Sequence, residues 1–428
     1  VDSVKLNAIS APYNYNDTVI RIKTPQNKGI PAGDTAYLTV YYHGNPVKDA
    51  SGWGGFYFSN DSSYAYNLGV GFAAAPHSYG RVWFPCIDDF REKATYDFKV
   101  RVKNTNTAVC NGILVDNYCA GNNTAIYHWK IKTPIPSYLA SIAVRKYSLI
   151  SNTYNGINGN IPISLYVRPS DSVGAIGSFS NLKDILNVYE MRFGPYMWER
   201  VGYVGVPFTN GAMEHATNIA YPNVCINGTL NYESLLAHEL SHHWFGNLIT
   251  CSTEEDMWIN EGWATYCESI YKEELYGVNS FKTDVRTRHK EALQKAHITD
   301  GSYLSLYGIP HKYTYGTTVY DKGAGVVHTL RNYMGDDLFF DVVTKLLTEY
   351  PYTDINTFNL RDSLSSFSGI DLNDFFEAYV FNPGFPHFSI DSFKLIPSST
   401  GNLCIVYMRQ KQKGTSFFAN TNKIELTF

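Results

Sequence analysis

His238-Glu239-Leu240-Ser241-His242 lies inside NYESLLAHELSHHWFG, a run with helical hydrophobic periodicity. Residues at i and i+4 of a helix share a face one turn apart, so the two imidazoles project together and can share one metal ion. A catalytic zinc takes a third protein ligand and keeps one position open. Glu261, separated from His242 by 18 residues, sits in the next helical run, TEEDMWINEGWATYCESIYKEELYG. It completes the set only if the two helices fold back as an antiparallel pair, and that requirement fixes the middle of the fold. One Zn2+ per chain is the expectation. Glu239 points off the ligand face, where a carboxylate can take a proton from an attacking water and pass it to a leaving amine. Glu268 lies two turns beyond Glu261 on the same face and is a candidate to hold the N–H of a ligand histidine. An ordinary solvated glutamate is the alternative there. A lone H-E-x-x-H arises by chance in roughly one chain in fifty to a hundred of this length, and a carboxylate at a set downstream position lowers that by more than about tenfold.

The flanking segments have a different period. From residue 1 to 165, TVIRIKTP, AYLTVYYHG, GGFYFSN, ATYDFKVRV and AIYHWKIKTP are alternating or β-branched and aromatic, with Asn, Gly, Asp and Pro between them. They predict an N-terminal antiparallel β-domain. Residues 166–384 read as mostly helical. SFSNLKDILNVYEMRFG and the two runs above each end at or beside a glycine, and helical patterns continue through YDKGAGVVHTLRNYMG, DDLFFDVVTKLLTEY and NDFFEAYVF. NPGFP breaks the run. Residues 385–428 turn strand-like again in HFSIDSFKLI, NLCIVYMRQ and KIELTF. Three strands make a poor independent sandwich, so they are expected to lean on the middle domain or to be part of something larger.

A net charge of −4 without a recurring basic block argues against a nucleic-acid partner. No apolar run reaches the ~18 residues that a membrane span needs. No signal peptide opens the chain, and the start at Val1 reads as a processed or excised end. Abundant Tyr, Asn, Ser and Thr with sparse Lys reads as extracytoplasmic or secreted. Seven cysteines in 428 residues are not a disulfide framework. Cys110 and Cys119 could close a hairpin across NGILVDNY, with free thiols as the alternative.

At these residues the sequence resembles a known family. HELSHHWFGN followed by the Glu of WINEGWA resembles the gluzincin aminopeptidases, the family of aminopeptidase N and leukotriene hydrolase. Gly211-Ala212-Met213-Glu214-His215 resembles its G-x-M-E-N exopeptidase motif, and Tyr320-Asp321-Lys322-Gly323 its Y-x-K-G segment. RVWFPCIDDFREKAT resembles its F-P-C-x-D-E-P block, and NPGFPHFSID the start of its β-sandwich domain. The resemblance implies a multidomain α and β architecture: an N-terminal β-domain, a thermolysin-like catalytic domain and the start of a β-sandwich. The helical domain that usually follows in the family is not within these residues.

Carried over, the resemblance implies that His238, His242 and Glu261 bind zinc and that Glu239 is the general base. Glu214 would bind the free α-ammonium of a peptide, Tyr320 would donate to the oxyanion, and the Gly211-Ala212 backbone would pair with the substrate. A zinc endopeptidase with the same centre and a non-catalytic peptide-binding relative are the alternatives. Glu214 argues against the first, and the intact set of His238, Glu239, His242 and Glu261 against the second. An epoxide hydrolase activity like that of leukotriene hydrolase is compatible with the same residues. The chain departs from the pattern twice. His215 stands where the motif has Asn, and AAAPHSYGRVWFPC offers no Gln or Glu just before the F-P-C block to share the ammonium.

Overall fold

Where apolar and polar residues alternate, the chain forms strands, and where the period lengthens it forms helices. The computed structural model describes residues 1–24, 28–59, 61, 63–399 and 401–414 and shows how these pieces stack. Among its described residues the first unit holds four small sheets, one of them the two-stranded pair Tyr13–Tyr15 and Ile20–Ile22. Ser3–Leu6 pairs with Leu38–Tyr41 and Ile9–Ser10 around a separate little core of Val4, Leu6 and Ala11. Lys93–Lys103, Thr124–Pro136 and Ile113–Cys119 form an antiparallel three-stranded sheet. Gly54–Phe58, Ala65–Gly71, Ile142–Arg145 and Thr107–Cys110 form a four-stranded one. Trp129 seals the two larger sheets together; it is fully buried and donates its indole N–H to the Ala108 carbonyl at 2.8 Å. Cys110 is buried, Cys119 is exposed, and both are free thiols, so no disulfide closes that hairpin.

One hairpin sits elsewhere than the strand pattern suggests. Ser148–Gly156 and Gly159–Val167 are antiparallel to each other, and Gly159–Val167 then runs parallel to Val201–Val206, itself parallel to Ile219–Pro222. This mixed sheet belongs to the helical unit, so the change of unit falls near residue 147 rather than at 165. The physical reason is the central strand, VGYVGV, which is buried on both faces. A strand covered on both sides loses the alternation by which strands are recognised.

The helices α1 (Ser172–Ser178), α2 (Leu182–Phe193), α3 (Glu233–Ser241), α4 (Trp258–Tyr276) and α5 (Val278–Lys290) come first, followed by α6 (Ala296–Thr299) and α7 (Gly323–Met334). The last are α8 (Asp336–Glu349), α9 (Thr357–Ser368) and α10 (Asn373–Phe376). As expected, α2 and α4 stop at Gly194 and Gly277, whose φ angles are +88° and +82°. α3 stops earlier, at Ser241, but His242 keeps helical angles (φ −57°, ψ −24°), so the i, i+4 relation survives the helix end. No helix among the described residues is long and apolar enough to cross a membrane. Phe385–Ser398 and Gly401–Lys413 form a single antiparallel hairpin that covers HFSIDSFKLI and NLCIVYMRQ. The KIELTF segment, 423–428, lies outside the described residues.

Candidate active site

The site grows from α3 and α4. Tyr189 of α2 locks the pair: its hydroxyl is 3.1 Å from both the Ala237 and Cys267 carbonyls, one residue before His238 and one before Glu268. Glu261 therefore faces the two histidines. His238 Nε2 lies 3.1 Å from His242 Nε2, and Glu261 Oε2 lies 3.3 Å and 3.4 Å from those two nitrogens. His238 Nδ1 donates to Glu268 at 3.0 Å and His242 Nδ1 to the Phe245 carbonyl at 2.9 Å. With both Nδ1 protons so used, the two Nε2 lone pairs point at each other, an arrangement that repels unless a cation lies between them. Ligand atoms about 2.0–2.1 Å from a tetrahedral zinc are separated by roughly 3.3–3.4 Å, so the three distances fit that ion. Among the described residues, His77, Glu254 and His311 form another compact group. There the imidazoles stack in parallel with centroids 4.0 Å apart, so their in-plane lone pairs do not converge.

The surroundings hold this geometry. Gly246, at φ +127°, turns the chain after His242, and a Cβ there would sit 3.0 Å from His242 Nδ1. Arg288 of α5 donates to Glu268 at 2.6 Å and so clamps the carboxylate that orients His238. Glu268 is thus a buried partner of a ligand histidine and not a solvated helix residue. Burial alone would raise Glu261, but the imidazoles of His242 and His238 outweigh it and hold that carboxyl below the ordinary range. Glu239 is fully enclosed, and burial pushes it up to about 8 against the pull of the two histidines. A carboxylate that readily takes a proton is what a general base requires.

Tyr320 enters on a π-turn, Thr318–Lys322, with its ring 6.1 Å from that of His238 and inclined by 16°. Gly262 and Gly323 set this approach. A Cβ on Gly262 would stand 2.9 Å from the Gly323 Cα, so the backbone next to Glu261 touches the backbone next to Tyr320 directly. Burial, then the Glu261 charge, holds the Tyr320 hydroxyl well above its ordinary pKa, so it remains a proton donor.

Glu214 arrives from the other side. Its carboxylate, that of Glu239 and a His242 nitrogen all lie within 4.8 Å of one another. Burial raises the Glu214 pKa, while His242 draws it down. Met213 pairs with Ala220 in both directions, at 3.0 Å and 2.9 Å, while Gly211 and Ala212 line the cleft. The next residues are gripped by the first unit. Asn111 Nδ2 donates to the Ala216 carbonyl at 2.6 Å, Thr217 Oγ1 accepts from Gly112 N at 2.6 Å, and Asn218 donates to Ser141 at 2.9 Å. His243 ties this segment to the end of α3: its Nε2 accepts from Thr217 N at 3.0 Å, and burial lowers its pKa to about 3, which keeps it neutral.

Gly211, Ala212, Glu214, His238, Glu239, His242, Glu261, Glu268 and Tyr320 thus line one cavity of about 420 Å³. Sequence reasoning missed Trp53, Val70, Phe72, Tyr315 and Arg288, which line it too. No motif marks them, although the aromatic residues of GGFYFSN and the AAAPHSYG segment flank them in sequence. Among the described residues the first unit supplies only apolar side chains to the cleft, Trp53, Val70 and Phe72, and no carboxamide or carboxylate to accompany Glu214.

Comparison with known proteins agrees with this geometry. The family model described as "Peptidase family M1 domain" matches residues 178–379, and "Peptidase M1 N-terminal domain" matches residues 1–139. Probable aminopeptidase 1 of Sulfurisphaera tokodaii is 23% identical over 331 residues, which cover 73% of this chain and 41% of that protein. Human endoplasmic reticulum aminopeptidase 1 is 26% identical over 68% of this chain and 32% of its own length. The chain therefore spans less than half the length of these relatives. An M1 zinc metallopeptidase from Deinococcus radiodurans superposes with a TM-score of 0.78 at 20% identity, over 89% of this chain and 83% of that one. From the first β-unit through the paired helices that carry His238, His242 and Glu261, the chain belongs to peptidase family M1.

Proposed function

We propose that this chain is a zinc-dependent aminopeptidase that releases the N-terminal residue of peptides carrying a free amine. One observation carries the reading: Glu214 lies within 4.8 Å of His242 and Glu239. The amine and the scissile carbonyl of one residue are two bonds apart, so a carboxylate that close to the metal ligands selects the first peptide bond and no other. The Asn111, Thr217 and Asn218 contacts anchor the segment after Glu214 to the first unit.

Zinc held by His238, His242 and Glu261 would polarise the carbonyl and acidify water. The protein residues do the rest. Glu214 pairs with the ammonium, and the Gly211-Ala212 backbone aligns the substrate strand. Glu239 accepts the proton of the attacking water and returns it to the leaving amine. Tyr320 donates its hydroxyl to the oxyanion. Glu268, clamped by Arg288, fixes the His238 tautomer. We also propose, on composition, an extracytoplasmic or secreted setting.

The test is N-acetylation. An acetylated substrate brings no charge and leaves Glu214 buried and unpaired. Removing one member of a buried charge pair costs ~2–5 kcal/mol, or roughly 30- to 5,000-fold. Acetylation of a good substrate should lower kcat/KM at least about 100-fold, and Glu214→Ala should lower it similarly for the free amine while narrowing the gap. Equal cleavage of free and acetylated peptides, or cuts at internal bonds, would make the protein an endopeptidase.

A further inference from the structure

We infer that the subsite beside Glu214 selects a bulky apolar N-terminal side chain, aromatic above all, by packing it against a three-ring stack of Trp53, Phe72 and Tyr315. The inference rests on the aminopeptidase reading and adds the substrate class to it.

The stack is continuous. Trp53 and Phe72 lie face to face at 4.4 Å and 8°, and Phe72 and Tyr315 at 4.2 Å and 11°. Its ends are buttressed: Phe208 meets Trp53 edge-on at 5.5 Å, and His77 meets Tyr315 at 5.1 Å and 72°. Trp53 is also pinned by its indole N–H, which donates to the Asn210 carbonyl at 2.6 Å, next to the strand that aligns substrate. All three rings line the same cavity as Glu214 and the metal ligands. The Cα that carries the substrate amine also carries the first side chain. With the amine held at Glu214, that side chain must turn to the wall beside Glu214. The Gly211 backbone places Trp53 in that wall, since a Cβ on Gly211 would lie 3.7 Å from the indole nitrogen. Tyr315 lines the cavity together with the Glu214 and Glu261 carboxylates.

The chemistry of this wall is selective. Both faces of Phe72 are covered by its neighbours, so it offers the cleft only its edge. Ring edges carry the positive end of the quadrupole and favour the face of an incoming ring. An Arg or Lys side chain would find the central ring's faces occupied and would gain no cation–π contact with it. An acidic side chain would meet Glu214, Glu239 and Glu261. Among the described residues the one Lys or Arg lining the cavity, Arg288, is engaged by Glu268 at 2.6 Å and by Asp321 at 3.3 Å. A short side chain leaves the wall unfilled.

The experiment uses one chromogenic leaving group on free Phe, Tyr, Leu, Ala, Glu and Arg, together with N-acetyl-Phe. Relative to Ala, the Phe substrate should gain roughly 10- to 100-fold in kcat/KM from the buried ring. Glu and Arg should fall at or below Ala. Phe72→Ala should cut the Phe/Ala ratio at least about tenfold. Trp53→Leu should cut it as well, and serves if Phe72→Ala fails to fold. Thermal-shift ranking of L-phenylalanine, L-glutamate and L-arginine on zinc-loaded Glu239→Gln protein reads the subsite without turnover; phenylalanine should stabilise most. If Glu or Arg matches Phe while N-acetyl-Phe is refused, the subsite inference fails and the aminopeptidase reading stands. If N-acetyl-Phe is cut as fast as free Phe, the aminopeptidase reading fails, and the amino-acid ranking still decides the subsite. Equal stabilisation by the three amino acids would overturn the inference in that case.

Discussion

The two walls of the cleft are built in opposite ways. The wall made by α3 and α4 carries the residues of the proposed reaction. His238, Glu239, His242, Glu261 and Glu268 come from 31 consecutive residues, and each is aimed by helix period or by a near neighbour. The wall made by the first unit carries the proposed side-chain subsite. Trp53 and Phe72 come from separate segments of the first unit, and they are held there by partners far away in sequence, the Asn210 carbonyl and the Tyr315 ring. Chemistry is therefore written locally and selection is written by tertiary assembly. The two should respond differently to substitution.

The largest effect belongs to the local wall. Glu239→Gln should keep zinc and lower kcat by ~10²–10⁴-fold, because only the proton acceptor is removed. His242→Ala should lose zinc as well. Elemental analysis beside single-turnover rates separates the two. A Glu239→Gln protein that retains more than about a tenth of the parent rate would move the base elsewhere and break the contrast between the walls. A smaller effect is expected one layer out. Glu268→Gln leaves His238 Nδ1 with a neutral acceptor and removes one of the carboxylates that hold Arg288, and should weaken zinc binding by ~10–100-fold in competition with a chelator. Unchanged affinity would reduce Glu268 to helix packing.

The same contrast explains what could be read in the sequence. The candidate metal ligands, Glu239 and the Glu268 candidate could be picked out because the 3.6-residue period converts spacing directly into direction. Glu214 and Tyr320 were legible only through resemblance, since neither carries a local signal of its own. Tyr320 reaches His238 through the Gly262–Gly323 backbone contact, which no periodicity encodes. The Trp53–Phe72–Tyr315 stack was not legible, because it joins a strand start, a loop and a turn that meet only when the two units dock. The hairpin 148–167 went to the wrong unit for a related reason. Its partner strand, Val201–Val206, is buried on both faces and shows no alternation.

The smallest effect sharpens the comparison at the junction of the walls, where His215 stands in place of the family's Asn. Asn67 fixes its state. The Asn67 amide oxygen accepts from Ile142 N at 2.8 Å, and its Nδ2 donates to the Ala140 carbonyl at 2.9 Å, so the amide orientation is set. That same Nδ2 faces His215 Nε2 at 3.4 Å, which makes Nε2 the acceptor and leaves Nδ1–H without a partner. A second proton on His215 would set one donor against another in a fully buried site, and burial accordingly lowers its pKa to about 3. An unfolded histidine takes its proton near ~6.5. Between those values the unfolded chain binds a proton that the native chain refuses, so stability is present above pH ~6.5 and falls as the pH drops towards 3. From pH 7 to pH 5 His215 alone should account for about 2 kcal/mol of that loss. His243 and His328, also held neutral by burial, tilt the background in the same direction. The readout is therefore a difference: His215→Asn should show a shallower fall in denaturation midpoint than the parent between pH 7 and pH 5, both zinc-loaded. Parallel curves would mean that His215 can be protonated in the folded state.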